Sequence, residues 1–356
     1  MWRRMGLPSA ARRGAFVREW ALWVLPPALY ISLYVILDIL IAHSGNTGGY
    51  QYDPVALIVV TEFIKLASSL MLWLGPELAN GHCNVVDWTP SPTFLYYAFP
   101  AVMYTCWSVL NFQCLLRVSL ATFSVLYQSV VFFTAVSWMI AFREHLSWQQ
   151  WLALGLLCAG CLCAQLTPDL RFELDSNCPY VFVQSGLSAI ASVMNEYLLK
   201  QKGREQVHRD ANRNDVVPVR TIGINEQNTY MYIFSCLASV AWAIYRSPHA
   251  VIQPRVFFHG FDQPLVMSIA CLAAGIGMLV TVILKHTNVI VKVYAQAFHA
   301  PLEIVLAHYT IGTRLGYMAI VSSLVITASS VWYAAERERL KQGQKSKDSS
   351  HNSTHV

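Results

Sequence analysis

Lys292, Gln296, His299 and Glu303 stand inside an apolar run, Val289 to Tyr309, that is long enough to cross a membrane. A charged group at the centre of a bilayer costs about 2.5–3.5 kcal/mol on translocon-type scales, so something must offset that cost. On a helix, steps of 4, 7 and 11 residues from Lys292 fall within about 40° of one direction. The four side chains therefore make one polar stripe about 16 Å long, while Val289, Val293, Ala297, Pro301 and Val305 occupy other faces. A single stripe means one face turned from lipid toward water or protein. Pro301 frees a backbone carbonyl one turn earlier, which is tolerated where neighbours or water satisfy it.

The segment "TEFIKLASS" repeats the theme. Glu62 and Lys65 lie three residues apart on one helical face and can pair. Such a pair is either a packing device or part of a substrate site or gate, and both need a place out of lipid. Other apolar runs carry Tyr104, Asn111, Gln113, Tyr127, Gln128, Asn195, Glu196, Gln227, Asn228, Tyr230 and Tyr232. Taken singly, each fits a helix–helix hydrogen bond. Taken with the two lysines, they describe a pocket for something planar, polar and anionic. Tyr stacks on a ring, Asn and Gln read its edge, and Lys neutralises phosphate as a point charge.

The elements that hold these groups follow from composition. Of 356 residues, 55% are hydrophobic and 13% charged, and the mean hydropathy is +0.41; a soluble domain carries about 25% charged residues. Many membrane spans explain this balance, and one soluble core does not. Trp20, Trp23, Trp73, Trp88, Trp148, Trp151, Trp332 and Tyr333 cluster near the ends of apolar runs, where an interfacial belt belongs. Most of the nine cysteines fall within apolar runs and read as small packing residues. Cys158, Cys161 and Cys163 resemble a metal spacing but lie among Gly and Leu in a span, so no metal site and no cofactor is expected. The first apolar run begins after Arg18 and is too long for a signal core, which predicts a retained first helix.

Windows of about 20 residues predict ten spans: Glu19–His43, Pro54–Gly75, Thr93–Leu116, Leu120–Phe142, Trp148–Leu166, Pro179–Leu199, Asn228–Tyr245, Pro264–Leu284, Val289–Tyr309 and Leu315–Ala335. The basic residues lie lopsidedly on the side that holds both tails, which puts both termini in the cytosol. The expected organisation is a basic tail (1–18), spans one to six (19–199), a cytosolic linker (200–225), spans seven to ten (226–335) and a disordered cytosolic tail (336–356). A loose echo between "FSVLYQSVVFFTAV" and "VKVYAQAFHAPLEI" suggests two five-span repeats, which an odd number of spans inserts with opposite topology.

At these residues the chain resembles the nucleotide-sugar transporters of the drug/metabolite transporter superfamily, in the CMP-sialic acid, UDP-galactose and UDP-N-acetylglucosamine branch. The resemblance rests on "TEFIKL", "ATFSVLYQ", "LSWQQWLAL", "SAIASVMNEYLLK", "QNTYMYIF" and "ILKHTNVIVKVYAQA", in that order between Tyr50 and Tyr333. It implies an all-α integral membrane protein of about ten helices in two inverted five-helix repeats around a central cavity. The implied setting is the Golgi or endoplasmic reticulum membrane. The implied activity is exchange of a cytosolic nucleotide sugar, with a UDP-sugar favoured, for lumenal nucleoside monophosphate. Carried over by position, Lys292 looks like the family's phosphate-contacting lysine. Asn228 and Tyr232 match its nucleotide-binding Asn and Tyr, and Tyr104, Tyr127 and Gln128 match polar cavity residues. Glu62 and Lys65 match charged positions, and Gln296 and His299 join the candidate substrate contacts through the stripe. Partners are the nucleotide sugar, the monophosphate and lipid, with no nucleic acid; a homodimer is compatible with such a fold.

The chain departs from the family pattern at Trp107-Ser108-Val109, at Val130 and at Asn288-Val289. A lysine is expected where Val130 stands. Either His299 or Lys65 substitutes for it, or the cargo carries less charge, or the chain carries another small polar metabolite. A membrane enzyme is disfavoured because no acidic or His-Asp set lies in an interfacial loop. A non-transporting scaffold is the remaining alternative, and it would tolerate loss of the whole stripe.

Overall fold

The computed structural model describes residues 9–45, 49–79, 94–143, 145–163, 176–210, 223–286, 298–312 and 316–352. Among these the regular structure is helical, with no strand. That is the economical answer in lipid, where a helix satisfies its own backbone groups. The first helices are α1 (Ser9–Gly45), α2 (Pro54–Ala79), α3 (Ala98–Arg117), α4 (Leu120–Tyr127), α5 (Val130–Phe142), α6 (Trp148–Cys163) and α7 (Cys178–Asp210). They are followed by α8 (Ile224–Arg246), the short α9 (Pro248–Ile252) and α10 (Pro254–Phe257), α11 (Pro264–His286), α12 (His299–Ile311) and α13 (Tyr317–Asn352).

Among the described residues, six stretches are long and apolar enough to cross a membrane: Leu25–Gly45, Pro54–Gly75, Phe94–Arg117, Thr122–Phe142, Pro264–Ile283 and Tyr317–Glu336. The protein is thus a multi-pass membrane protein. The other four expected spans coincide with α6, α7, α8 and α12. Of these, α6 and α12 have only 16 and 13 described residues, while α7 and α8 carry buried polar groups such as Gln184, Asn195, Asn228 and Ser235.

Three expected boundaries differ. Helix α1 starts at Ser9, inside the predicted basic tail. Helix α7 runs on to Asp210, so the first part of the predicted linker is helical, and residues 211–222 lie outside the described residues. Helix α13 continues to Asn352, through most of the tail expected to be disordered. The reason is shared. "KQKGREQ" and "ERERLKQ" are rich in good helix formers, and a helix extending from a formed span needs no new nucleus. The surface pair Glu336–Arg339, at 3.8 Å, adds little.

The fourth expected span is not one helix. It breaks at Gln128 and Ser129 into α4 and α5, and the turn keeps its backbone bonded through Ser129 N–H to Leu126 O at 3.0 Å and Val131 N–H to Gln128 O at 3.0 Å. Ser119 caps α4 by accepting the Thr122 N–H at 3.2 Å. Broken backbone at membrane depth is tolerated only where protein surrounds it, and Tyr127, Gln128 and Ser129 are all buried.

Helix pairing sets the layout. Helix α2 packs on α8, α6 on α13, α3 on α7, α5 on α7, α1 on α11, α2 on α11, α3 on α8, and α12 on both α1 and α4. A glycine serves one turn: Gly260, at φ 83°, lets the loop before α11 approach Gln51, whose carbonyl oxygen would lie 2.6 Å from any Cβ. Small residues also let helices close. A Cβ at Gly160 of α6 would sit 2.7 Å from Ile326 Cγ1 of α13. Gly160→Ala is therefore expected to destabilise the protein by about 1–3 kcal/mol, read as a lower melting temperature in detergent.

Candidate functional site

A cavity of about 120 Å³ lies among α1, α2, α3, α4, α7, α8 and α11. Tyrosine, amide and hydroxyl groups punctuate its apolar wall: Tyr34 from α1, Thr61 from α2, Tyr104 and Asn111 from α3, Tyr127 from α4, Asn195 from α7, Tyr232 from α8 and Thr281 from α11. Among the described residues, Lys65 is the one lysine, arginine or histidine in that wall. Its Nζ donates to Glu62 Oε1 at 2.7 Å and lies 5.8 Å from the Tyr232 ring centre. Glycine makes room for it: a Cβ at Gly277 of α11 would meet Lys65 Cε at 2.7 Å and Cδ at 3.2 Å.

Hydrogen bonds fix the walls in register. Ser69, one turn beyond Lys65, bonds to Thr229 Oγ1 at 3.0 Å and donates to Asn225 O at 2.9 Å. This ties α2 to α8 and holds Lys65 against Tyr232. Trp107 Nε1 donates to Tyr127 Oη at 3.2 Å, and Tyr127 Oη donates to Ser188 Oγ at 3.3 Å. Gln184 Nε2 donates to Asn111 Oδ1 at 2.6 Å, and Tyr104 Oη lies 3.2 Å from Ser192 Oγ. A braced, mainly apolar lining with convergent polar groups and one paired cation suits a planar anionic guest.

The sequence expectations divide here. Glu62, Lys65, Tyr104, Tyr127 and Tyr232 come together in the wall. Asn228 is buried on α8 one turn before Tyr232 but is not part of the wall. Gln128 and His299 line instead a second space of about 10 Å³, shared with Tyr30, Tyr34 and Tyr127. Lys292 and Gln296 lie outside the described residues. Of the predicted stripe, His299 and Glu303 are described, one turn apart on α12 and both buried, while Leu302 and Val305 beside them are exposed.

Asp38 escaped the sequence reading. It is fully buried on α1, with Oδ2 at 3.3 Å from His299 Nε2, while His299 Nδ1 lies 3.2 Å from Glu303 Oε2. The signal was available, because a lone acid inside "YVILDILIA" is a functional candidate in itself. Asp38, His299 and Glu303 offer ligand atoms within 4.8 Å of one another. The two carboxylates nevertheless flank opposite nitrogens of one ring, an ion-pair array rather than a coordination sphere. Cys161 packs with its Sγ 3.5 Å from Val125 O.

Membrane-crossing helices around a shared cavity that carries a few polar groups are a plan found in carriers. The nucleotide-sugar transporter family profile matches residues 33–334, and the chain belongs to that family. It is 27% identical to CMP-sialic acid transporter 2 of Oryza sativa subsp. indica, over 86% of this chain and 83% of the rice protein. It is 26% identical to CMP-sialic acid transporter 4 of Arabidopsis thaliana, over 85% and 81%. It is also 23% identical to the UDP-galactose transporter senju of Drosophila melanogaster, over 85% and 84%. A solved crystal structure shares the fold at a TM-score of 0.54 and 12% identity, covering 88% of this chain and 98% of its own.

Gly277→Ala tests the setting of Lys65. The added methyl meets only the flexible end of that side chain, so folding should survive while Lys65 is displaced. Binding of a nucleotide sugar, followed by thermal shift, should weaken about tenfold, equivalent to about 1.4 kcal/mol.

Proposed function

We propose that this protein is a nucleotide-sugar transporter of the Golgi membrane, with the endoplasmic reticulum as the alternative site. It exchanges a cytosolic pyrimidine nucleotide sugar, a UDP-sugar by preference, for lumenal nucleoside monophosphate. The observation that carries this reading is Lys65, the wall's described cation, held by Glu62 against Tyr232. Phosphate displaces Glu62 from Lys65, Tyr232 and Asn228 hold the base or ribose, and Lys292 supplies a second cation. Lys65 stands in for the family lysine that Val130 replaces: Val130 is buried in α5, and His299 is engaged by two carboxylates beside the main cavity rather than in its wall.

Alternating access of two inverted five-helix repeats moves the site between the two faces. Helix pairing supports this. With α4 and α5 as one span, second meets seventh (α2 with α8) and fifth meets tenth (α6 with α13). The third–sixth pair (α3 with α7) is answered by eighth–first (α11 with α1), and third–seventh (α3 with α8) by eighth–second (α11 with α2). Such a pattern is what a pseudo-two-fold relation between halves produces. The bias of basic residues supports a cytosolic position for both termini. Exchange becomes obligatory if the empty carrier, with Lys292 uncompensated, reorients slowly.

One observation favours a second reading. With Lys65 neutralised by Glu62 and Val130 in place of a lysine, the wall suits a less charged cargo, another small polar metabolite. A thermal-shift panel of UMP, CMP, GMP and AMP separates the two: stabilisation by a pyrimidine monophosphate supports nucleotide exchange, and silence from all four supports the alternative. In proteoliposomes preloaded with the stabilising monophosphate, Lys65→Ala should cut exchange about ten- to a hundredfold, the worth of a charge-assisted contact. Exchange that persists after Lys292→Ala would remove that lysine from the site.

A further inference from the structure

The group Asp38, His299, Glu303 and Ser124 joins three helices, α1, α12 and α4, and the proposed substrate contacts leave it unused. Ser124 Oγ lies against both Glu303 Oε2 and Leu120 O, and its one proton serves one of them at a time. Both ring nitrogens of His299, both oxygens of Asp38 and Oε1 of Glu303 lack an aligned hydrogen bond among the described residues. Among the described residues, the groups facing them are neutral. Tyr30, Tyr34 and Tyr50 lie near Asp38 together with Tyr127, Asn111 reaches Asp38, and the Tyr34 ring stands edge-on to the His299 ring at 5.3 Å. Among the described residues, the charge of the cluster is therefore balanced within it.

Its protons can be counted. Each imidazole nitrogen faces one carboxylate, and a bare nitrogen lone pair facing a carboxylate oxygen is repulsive. Two protons shared among the three side chains remove that repulsion and leave a net charge of −1. A third proton, on a carboxylate, makes the cluster neutral, which is the form a low-dielectric interior favours. A route for that proton adjoins His299. The space of about 10 Å³ beside it has room for about one water, and Tyr30, Tyr34 and Tyr127 line both this space and the main cavity. Gln128, also in its wall, has both amide atoms buried and without a hydrogen-bond partner among the described residues.

We propose that Asp38, His299 and Glu303 form a proton-binding site that takes up one proton when an anionic substrate enters the neighbouring cavity, linking proton and substrate binding in this carrier. The linkage rests on the carrier reading and follows from charge. An anion enters more easily beside a neutral cluster than beside one of charge −1, and by reciprocity the bound anion draws the proton in. The proton comes from water reaching the main cavity and ends on a carboxylate oxygen of Asp38 or Glu303.

The test uses the full chain in detergent and UDP-galactose, whose diphosphate carries no proton to lose near neutrality. Affinity measured between about pH 5.5 and 8 should strengthen as pH falls, by up to about tenfold per pH unit for one linked proton. A dilute indicator dye should register about one proton taken up per protein on adding the nucleotide sugar. Glu303→Gln should flatten both responses; where it fails to fold, Asp38→Asn takes its place. Binding of equal strength at every pH, with no proton uptake, overturns the proposal and leaves the carrier reading standing. If UDP-galactose does not bind, transport of that substrate is what fails, and infrared difference spectra of the carboxyl stretch decide the proton site alone. A pH-dependent carboxyl band lost in Glu303→Gln supports the site, and absence of any such band in the wild type overturns it.

Discussion

Charge in hydrocarbon is the constraint on which the rest of this molecule depends. Lys65, Glu62, Asp38, His299 and Glu303 all sit within the helical body, and each would be costly if it met lipid or stood alone. Each is instead paired at between 2.7 and 3.3 Å. The pairs require close helix approach, which the small residue Gly277 permits, and a polar interior, which the buried serines, amides and tyrosines supply. Two clusters result, and they differ in role. Lys65 and Glu62 form a local pair on one helix beside open space, where an incoming anion can exchange places with Glu62. Asp38, His299 and Glu303, with Ser124, draw three helices together beside the main cavity.

The broken fourth span connects the two. Because α4 ends at Tyr127, the α4–α5 joint puts the Tyr127 hydroxyl in the main wall and the Gln128 amide in the smaller space. A continuous helix would bury its backbone at this depth without offering such a corner. Tyr127 is thus shared by both spaces, and through Trp107 and Ser188 it also braces α3 and α7. A shift of α4 against α12 would be felt at both clusters, since Ser124 and Tyr127 lie on the same short helix.

Much of this was legible in the sequence. The helical class followed from low charge and long apolar runs, the Glu62–Lys65 pair from three-residue spacing, and the meeting of Tyr104, Tyr127 and Tyr232 from the family pattern. Helical phase placed His299 and Glu303 on one buried face. What escaped had physical causes. Asp38 is distant in sequence from α12, and no local period reveals a contact made by tertiary packing. The break at Gln128–Ser129 lacks proline or glycine, so nothing in the local sequence announces it. The helical extensions of α7 and α13 ran past the hydrophobic windows because helix propensity does not stop where hydropathy does.

The central claim is that the α2 face bearing Thr61, Glu62 and Lys65 looks into a water-filled chamber while its other face meets lipid. Cysteine substitution in a background lacking the native thiols tests this most directly, with a charged, water-soluble thiol reagent. Thr61, in the cavity wall and buried, should react as Thr61→Cys and be protected by a bound nucleotide sugar. Phe63, two residues on and 52% exposed on the outer surface, should stay unreactive as Phe63→Cys because lipid covers it. Rapid labelling at Phe63→Cys with none at Thr61→Cys would contradict the account.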